Sequence, residues 1–394
     1  MSLRCAGLHR ETGNFKTMLR NSFETSTLQN VHYMMPRKPT SLLLIAIGLA
    51  TLVGCGSGTT HTAYVSLPNS NAVAALRIKT STGSNSTSNS VQFTTIVGSP
   101  FPAGNSPASV RIHPSNHFVY VANQSENDIS LFTIDSAIGS LQEVLPRTPT
   151  GLTPVSLTMD KGGNFLFALN EVSGSISVFS INSGSGALTA VAGSPFATFV
   201  NSTTFAISPS AKFLYVLNPN LTAVFAYTIN SGVLQPVAGL PVQVGNGPLA
   251  IAVDPAETFV YVANSVDNTV SVLSINSTTG ALTLLGSFAT GTTPSSVVAL
   301  DPYLYVANLG SSNISVFTVA ATTGVLTQIT GSPFSAGTAP LFMVLDPNNL
   351  FIYVGSQTAR SISAFSINTS TGALLSTSQS ALTTAAPSSM SVSK

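Results

Sequence analysis

The sequence predicts an all-β protein: a seven-bladed β-propeller of four-stranded antiparallel blades, closed by a blade shared between the N- and C-terminal parts of the chain. Three observations predict it. One aromatic strand phrase recurs seven times, the spacing between copies suits four short strands, and the composition does not suit helices. Charged residues make up only 7% of the 394 residues and hydrophobic residues 44%, with 30 Gly and 23 Pro. That mixture favours many short strands joined by tight polar turns over amphipathic helices.

The recurring phrase is His117-Phe-Val-Tyr-Val-Ala-Asn123, Asn164-Phe-Leu-Phe-Ala-Leu-Asn170, Lys212-Phe-Leu-Tyr-Val-Leu-Asn218, Thr258-Phe-Val-Tyr-Val-Ala-Asn264 and Pro302-Tyr-Leu-Tyr-Val-Ala-Asn308. Weaker copies begin and end the series, at Thr62-Ala-Tyr-Val-Ser66 and Leu350-Phe-Ile-Tyr-Val-Gly-Ser356. The central aromatics, Tyr64 to Tyr353, stand 56, 47, 48, 46, 44 and 48 residues apart. Such a period holds four strands with their turns and is too long for leucine-rich or ankyrin units.

A second strand follows each aromatic one, as in Ser175-Ile-Ser-Val-Phe-Ser-Ile181, and a turn such as Asn276-Ser-Thr-Thr-Gly-Ala-Leu282 closes it. Glycine there supplies the positive φ of a tight reversal. The third strand is expected to end at Gly-Ser-Pro-Phe (98–101, 193–196, 331–334), because proline cannot continue a hydrogen-bonded ladder. The fourth starts at a proline, as in Pro107-Ala-Ser-Val-Arg-Ile-His113 or Pro248-Leu-Ala-Ile-Ala-Val-Asp254, and its small apolar residues suit the propeller axis. The first copy lacks a preceding strand of this kind while the chain ends on one, Pro387-Ser-Ser-Met-Ser-Val-Ser393. The last strand should therefore sit innermost in the first sheet, tying the ring and removing two open edges.

From Gly56 onward there are 8 Lys and Arg against 11 Asp and Glu, a net charge of about −3. No basic stripe is available to neutralise phosphates, which argues against a nucleic-acid partner. Both cysteines, Cys5 and Cys55, precede the repeats, so the repeat body has neither a disulfide nor a thiolate site. No spacing of His, Cys and carboxylates reads as a metal site, no Gly-rich phosphate loop precedes a helix, and no cofactor is expected. A monomer is expected.

Ahead of the repeats, Met35-Pro-Arg-Lys-Pro-Thr forms a short basic segment, followed by an apolar run from Ser41 to Val53 that ends in Leu52-Val53-Gly54-Cys55. The run is shorter than the roughly 20 residues of a membrane-spanning helix. It resembles a bacterial lipoprotein signal, and that resemblance implies cleavage before Cys55, lipidation of its thiol, and a place in the cell envelope. The expected organisation is an N-terminal extension over 1–34, a signal peptide over 35–54, a short linker over 55–61 and the propeller over 62–394. Met34-Met35 directly before the basic segment offers an internal translation start.

The repeated unit (Phe-x-Tyr-Val-Ala-Asn, Ile-Ser-Val-Phe-x-Ile-Asn, Gly-Ala-Leu, Gly-Ser-Pro-Phe) resembles the lactonase-type seven-bladed propellers, the family that includes 6-phosphogluconolactonase, and related propellers with Tyr-Val-Thr-Asn repeats. These motifs specify packing and turns, not chemistry. Catalytic members of that family carry an Arg-His pair just after the proline of an inner strand and a Glu sixteen residues beyond the Arg. The resemblance therefore implies Glu171, in Asn170-Glu171-Val172, as the catalytic carboxylate, whereas Val155 and Ser156 stand where Arg and His belong. The other inner strands offer Ala108-Ser109, Leu249-Ala250, Ser295-Ser296, Leu341-Phe342 and Ser388-Ser389, with no cation at that level. Opening a lactone needs a base for water and a donor for the developing oxyanion, so Ser156 is left as a weak donor beside Glu171.

Two further candidates come from the repeats themselves. Asn123, Asn170, Asn218, Asn264 and Asn308 end the aromatic strands. They read as turn formers bonding their own backbone or, if exposed, as a ring of amides that binds glycan or peptide backbone. Arg111 lies on an inner strand, pointing into the channel or pairing with a carboxylate, and His113 occupies a turn position held by Asp in other copies. The sequence thus reads as a lipid-anchored, extracytoplasmic binding propeller with a degenerate catalytic site and a cell-envelope protein or glycan as partner. The alternative is a hydrolase of sugar lactones, and a structural role in a surface layer differs from the first reading only in partner.

Overall fold

A strand buried on both faces has no place for a polar side, and the aromatic phrase meets that condition in nearly every copy. Phe118–Asn123, Phe213–Asn218, Phe259–Asn264, Tyr303–Asn308 and Phe351–Ser356 are buried at all six positions. In the computed structural model, which describes residues 58–81, 89–239 and 241–394, these strands lie second from the axis in seven antiparallel sheets. The second blade shows the order: Pro107–Ile112 innermost, then Phe118–Asn123, Asp128–Ile134 and Leu141–Pro149. Seven apolar clusters fill the spaces between neighbouring sheets, so the core is a ring rather than a centre.

The aromatic at the centre of the phrase also joins blades through its hydroxyl. Tyr64, Tyr120 and Tyr305 donate to the carbonyls of Gly139, Gly186 and Gly372 at 2.9, 2.7 and 3.0 Å, each across to the turn of the next blade. Burial raises these phenols above their ordinary value, so they remain donors. Glycine is required at the receiving turn: Gly186 has φ +73°, and an added Cβ would come within 2.6 Å of the Phe118 ring. At the same level Tyr215 and Tyr261 keep buried hydroxyls without a protein partner among the described residues.

Gly-Ser-Pro-Phe does not end the outer strand, as expected from its proline, but interrupts it. Pairing with the third strand resumes at Phe101–Pro102, Phe196–Ala197 and Phe334–Ser335. The motif's serine replaces the ladder bond lost at the interruption: the Oγ of Ser99, Ser194 and Ser332 accepts the N–H of Ala75, Val178 and Val316 at 2.8, 2.9 and 2.9 Å. Phe101, Phe196 and Phe334 then pack into the inter-blade clusters.

The ring closes as the sequence implied. Ser389–Val392 pairs antiparallel with Gly58–Leu67, with Ala63 opposite Val392 and Ser66 opposite Ser389, and lies innermost in that sheet. Met390 enters the cluster between the last and first blades at 2% exposure. The first strand starts at Gly58 rather than Thr62: residues 58–61 of the expected linker pair with Ile78–Ser81, and His61 is buried with Nδ1 2.9 Å from the Ser393 carbonyl. The expected extension (1–34), the expected signal peptide (35–54) and Cys55, where acylation is expected, fall outside the described residues.

Candidate functional site

Five inner strands begin opposite the last residue of the aromatic strand, as Pro107 does with Asn123, Pro248 with Asn264 and Pro294 with Asn308, and the other two begin one residue short of it, at Thr204 and Ser389, so all start at the same face of the ring. The second and third residues of these strands line the axial cavity, as Ala108 and Ser109 do, whereas the fourth is fully buried away from it where it is Val110 or Leu157. The strands enclose an axial cavity of about 370 Å³ walled by Ser109, Ser156, Thr204, Ser296 and Ser389, with Arg111 among its lining residues. Several wall hydroxyls serve the ring itself. Ser109 accepts the N–H of Leu157 at 3.1 Å, and Ser296 that of Met343 at 3.0 Å, stitching one inner strand to the next. A larger cleft of about 560 Å³ between the first and second blades holds Arg77, Lys79, Asp135 and Lys394, but none of the expected site residues lines it.

Glu171 sits at the head of its blade. Its N–H donates to the Thr153 carbonyl and its own carbonyl accepts the Asn201 N–H, both at 2.9 Å. This fixes the backbone beside Pro154 and leaves the side chain half-buried. The carboxylate forms no ion pair: among the described residues only Arg147 makes salt bridges, with Glu126 and Glu143. Nor does Glu171 line the axial cavity, although Val155 and Ser156 of the same blade do. Ser156 pairs with Leu169, two residues before Glu171, and its hydroxyl has no protein partner among the described residues.

The one cation in the cavity is Arg111. It pairs with Tyr120, so its strand level lies four residues below the one corresponding to Glu171. At roughly 3.3 Å per residue that is about 13 Å between the two backbone levels. Arg111 is not paired with a carboxylate. Its Nη1 donates to the Val110 carbonyl at 3.0 Å, and burial alone lowers its pKa with no opposing charge to offset the effect. The signal was legible beforehand: Arg111 is the only charged residue within the seven inner strands. Thr204 was harder to find, because Ser202 stands where most other inner strands have their proline and the strand itself runs Thr204–Ile207.

The conditional reading of the asparagines as an exposed amide ring does not hold. Asn123, Asn170, Asn218, Asn264 and Asn308 are all 0% exposed and face no open surface. In four of them Nδ2 clamps the next strand: Asn123 to Asp128 and Ser130, Asn170 to Ser175 and Ser177, Asn264 to Thr269 and Ser271, Asn308 to Asn313 and Ser315. Asn218 instead donates to the Val200 carbonyl and the Ser202 hydroxyl. A glycine of the incoming loop seals each clamp. A Cβ on Gly104, Gly151, Gly245 or Gly291 would stand 2.4 to 2.8 Å from the amide of Asn123, Asn170, Asn264 or Asn308. His113 is a turn residue and more, with Nε2 2.9 Å from the Gly163 carbonyl of the adjoining blade.

Solved structures share this architecture. A candidate 6-phosphogluconolactonase of Bacteroides fragilis superposes with a TM-score of 0.70 at 21% identity, covering 85% of this chain and 98% of its own. A protein of Lactobacillus plantarum gives 0.69 at 18%, covering 85% and 100%. The periplasmic gluconolactonase of Pseudomonas aeruginosa gives 0.68 at 18%, covering 85% and 99%. At these identities the likeness bears on the fold alone. No curated protein matches the sequence significantly. The model of the seven-bladed β-propeller lactonase family matches residues 57–201 and 204–392, and with its seven sheets and shared closing blade the chain belongs to that family.

Proposed function

We propose that this propeller binds a small ligand at its axial cavity without hydrolysing it, and that a lipid on Cys55 holds it at an extracytoplasmic membrane surface, with envelope protein or glycan as further partners. One observation carries the binding reading: the Glu171 carboxylate has no ion-pair partner and stands outside the cavity wall, with Val155 and Ser156 where a catalytic cation would be needed. A general base can activate water, but without a donor aimed at the oxyanion the charge that develops on the lactone oxygen goes unstabilised, and the barrier stays high. A second reading, hydrolysis of a sugar lactone with Glu171 as base, draws on family membership and on the position of Glu171 beside the start of an inner strand.

Hydrolysis of a panel of sugar lactones, with spontaneous opening subtracted, separates the two. No turnover above background is expected. Turnover that vanishes in Glu171→Gln would overturn the binding reading. Anchoring is read separately: Cys55→Ala should move the protein from the membrane fraction to the soluble one, and unchanged fractionation would refute the lipid.

A further inference from the structure

A guanidinium carries five N–H donors and suits two parallel bonds to one carboxylate. In this molecule Arg111 spends one of them on the Val110 carbonyl, and no acidic side chain lines the cavity around it. The residues at its level on the other inner strands are Thr158, Ala206, Ala252, Val298, Val344 and Ser391, all neutral. Only Val344 of these lines the cavity with Arg111, so Arg111 stands at the level of the wall farthest from the strand starts. A charge held in a narrow, neutral channel is costly unless something pairs with it. The chain has acidic residues to spare, at a net charge of about −3 from Gly56 onward, yet places none here.

We propose that Arg111 anchors a carboxylate-binding site on the floor of the axial cavity, and that its ligand is a small polyhydroxylated monocarboxylate of the sugar-acid type. The proposal rests on the binding reading given above. Two features narrow the ligand. A single cation matches one negative charge and leaves a phosphate dianion under-neutralised. The rest of the wall sets hydroxyls among apolar side chains such as Leu249, Leu341 and Phe342, and those of Ser156 and Thr204 are uncommitted to protein partners among the described residues. The volume of about 370 Å³ lies at the small end of ligand cavities, about 300–1,000 Å³, and limits the occupant to a single sugar-sized molecule.

The test is titration calorimetry on the full chain with gluconate, glucose, acetate and 6-phosphogluconate. Gluconate should bind wild type at least tenfold more tightly than glucose or acetate. Arg111→Gln should weaken gluconate at least tenfold, and Arg111→Lys, which keeps the charge but loses the fork, should fall between. Raised salt should weaken gluconate and leave any glucose binding unmoved. Thermal unfolding checks each variant; should Arg111→Gln fail to fold, the folded Lys variant carries the test. Four results would each overturn the site: no gluconate binding to wild type, equal binding of glucose, an Arg111 variant that binds gluconate as wild type does, or tighter Arg111-dependent binding of 6-phosphogluconate. Lactone turnover depending on Glu171 would refute the non-hydrolytic reading instead, and leaves the Arg111 comparison to be judged on its own numbers.

Discussion

Replacing the phenol at the centre of the repeat should cost stability in one blade and nothing in another. Tyr120 donates at 2.7 Å to the Gly186 carbonyl of the next blade, whereas the Tyr261 hydroxyl, equally buried, has no protein partner among the described residues. Tyr120→Phe removes the donor and strands a buried carbonyl, a loss of about 1–3 kcal/mol. Tyr261→Phe removes a hydroxyl that gains nothing from the protein, so it should fall within about 0.5 kcal/mol of wild type or stabilise slightly. The chain already carries the second change once, as Phe167 in the third blade. With an unfolding entropy near 2.1 cal/mol/K per residue, the Tyr120 loss lowers Tm by roughly 1–4 °C in a body of this size. Denaturant midpoints at constant m-value are the sharper measure. Equal losses in the two variants, or none in Tyr120→Phe, would refute the idea that the hydroxyl joins the blades.

Deleting Ala385–Lys394 removes the innermost strand of the first sheet together with Met390, and should abolish the single cooperative unfolding transition; an unchanged melt would refute the shared blade. The milder Met390→Ala should cost about 2–5 kcal/mol, measured by denaturant unfolding. Asp254 is 2% exposed and accepts the N–H groups of Thr258 and Phe259, yet burial outweighs those bonds and raises its pKa above 3.8. A raised carboxylate makes the folded state bind protons more tightly, so its contribution is full below pH 3.8 and is lost as pH rises through the higher folded value. Asp254→Asn should therefore match wild type in acid and gain relative stability toward neutrality, and a difference independent of pH would contradict this.

The sequence showed the ring because repetition multiplies a weak local signal: seven aromatic phrases at a near-constant spacing leave few other architectures. It also showed the closing strand, since Pro387–Ser393 lacked a sheet of its own. Readings that depended on where a side chain ends up were less secure. Asn123 and its equivalents read either as turn formers or as surface amides, because nothing in the phrase reveals that a glycine from a loop some 20 residues earlier will press down on them. The serine of Gly-Ser-Pro-Phe becomes intelligible once its hydroxyl is seen to replace a missing ladder bond. Glu171 was found by its spacing within a family pattern, but spacing says nothing of partners, and its partners are missing. Arg111 carried the stronger signal, a lone charge among the residues of seven inner strands, which only the cavity makes meaningful.

The closing strand also sets a timetable for biogenesis. Ser389–Val392 follows every other strand in chain order, yet it is the axial member of the first sheet and hydrogen-bonds to the second, where the Ile112 N–H donates to the Ser391 hydroxyl at 3.1 Å. Synthesis from the N-terminal side therefore yields six complete blades and one with an open inner edge, until Ser389–Val392 arrives. The half-made ring exposes the apolar groove destined for Met390, a surface that chaperones and proteases recognise, so quality control can distinguish a finished molecule from a truncated one by a single strand.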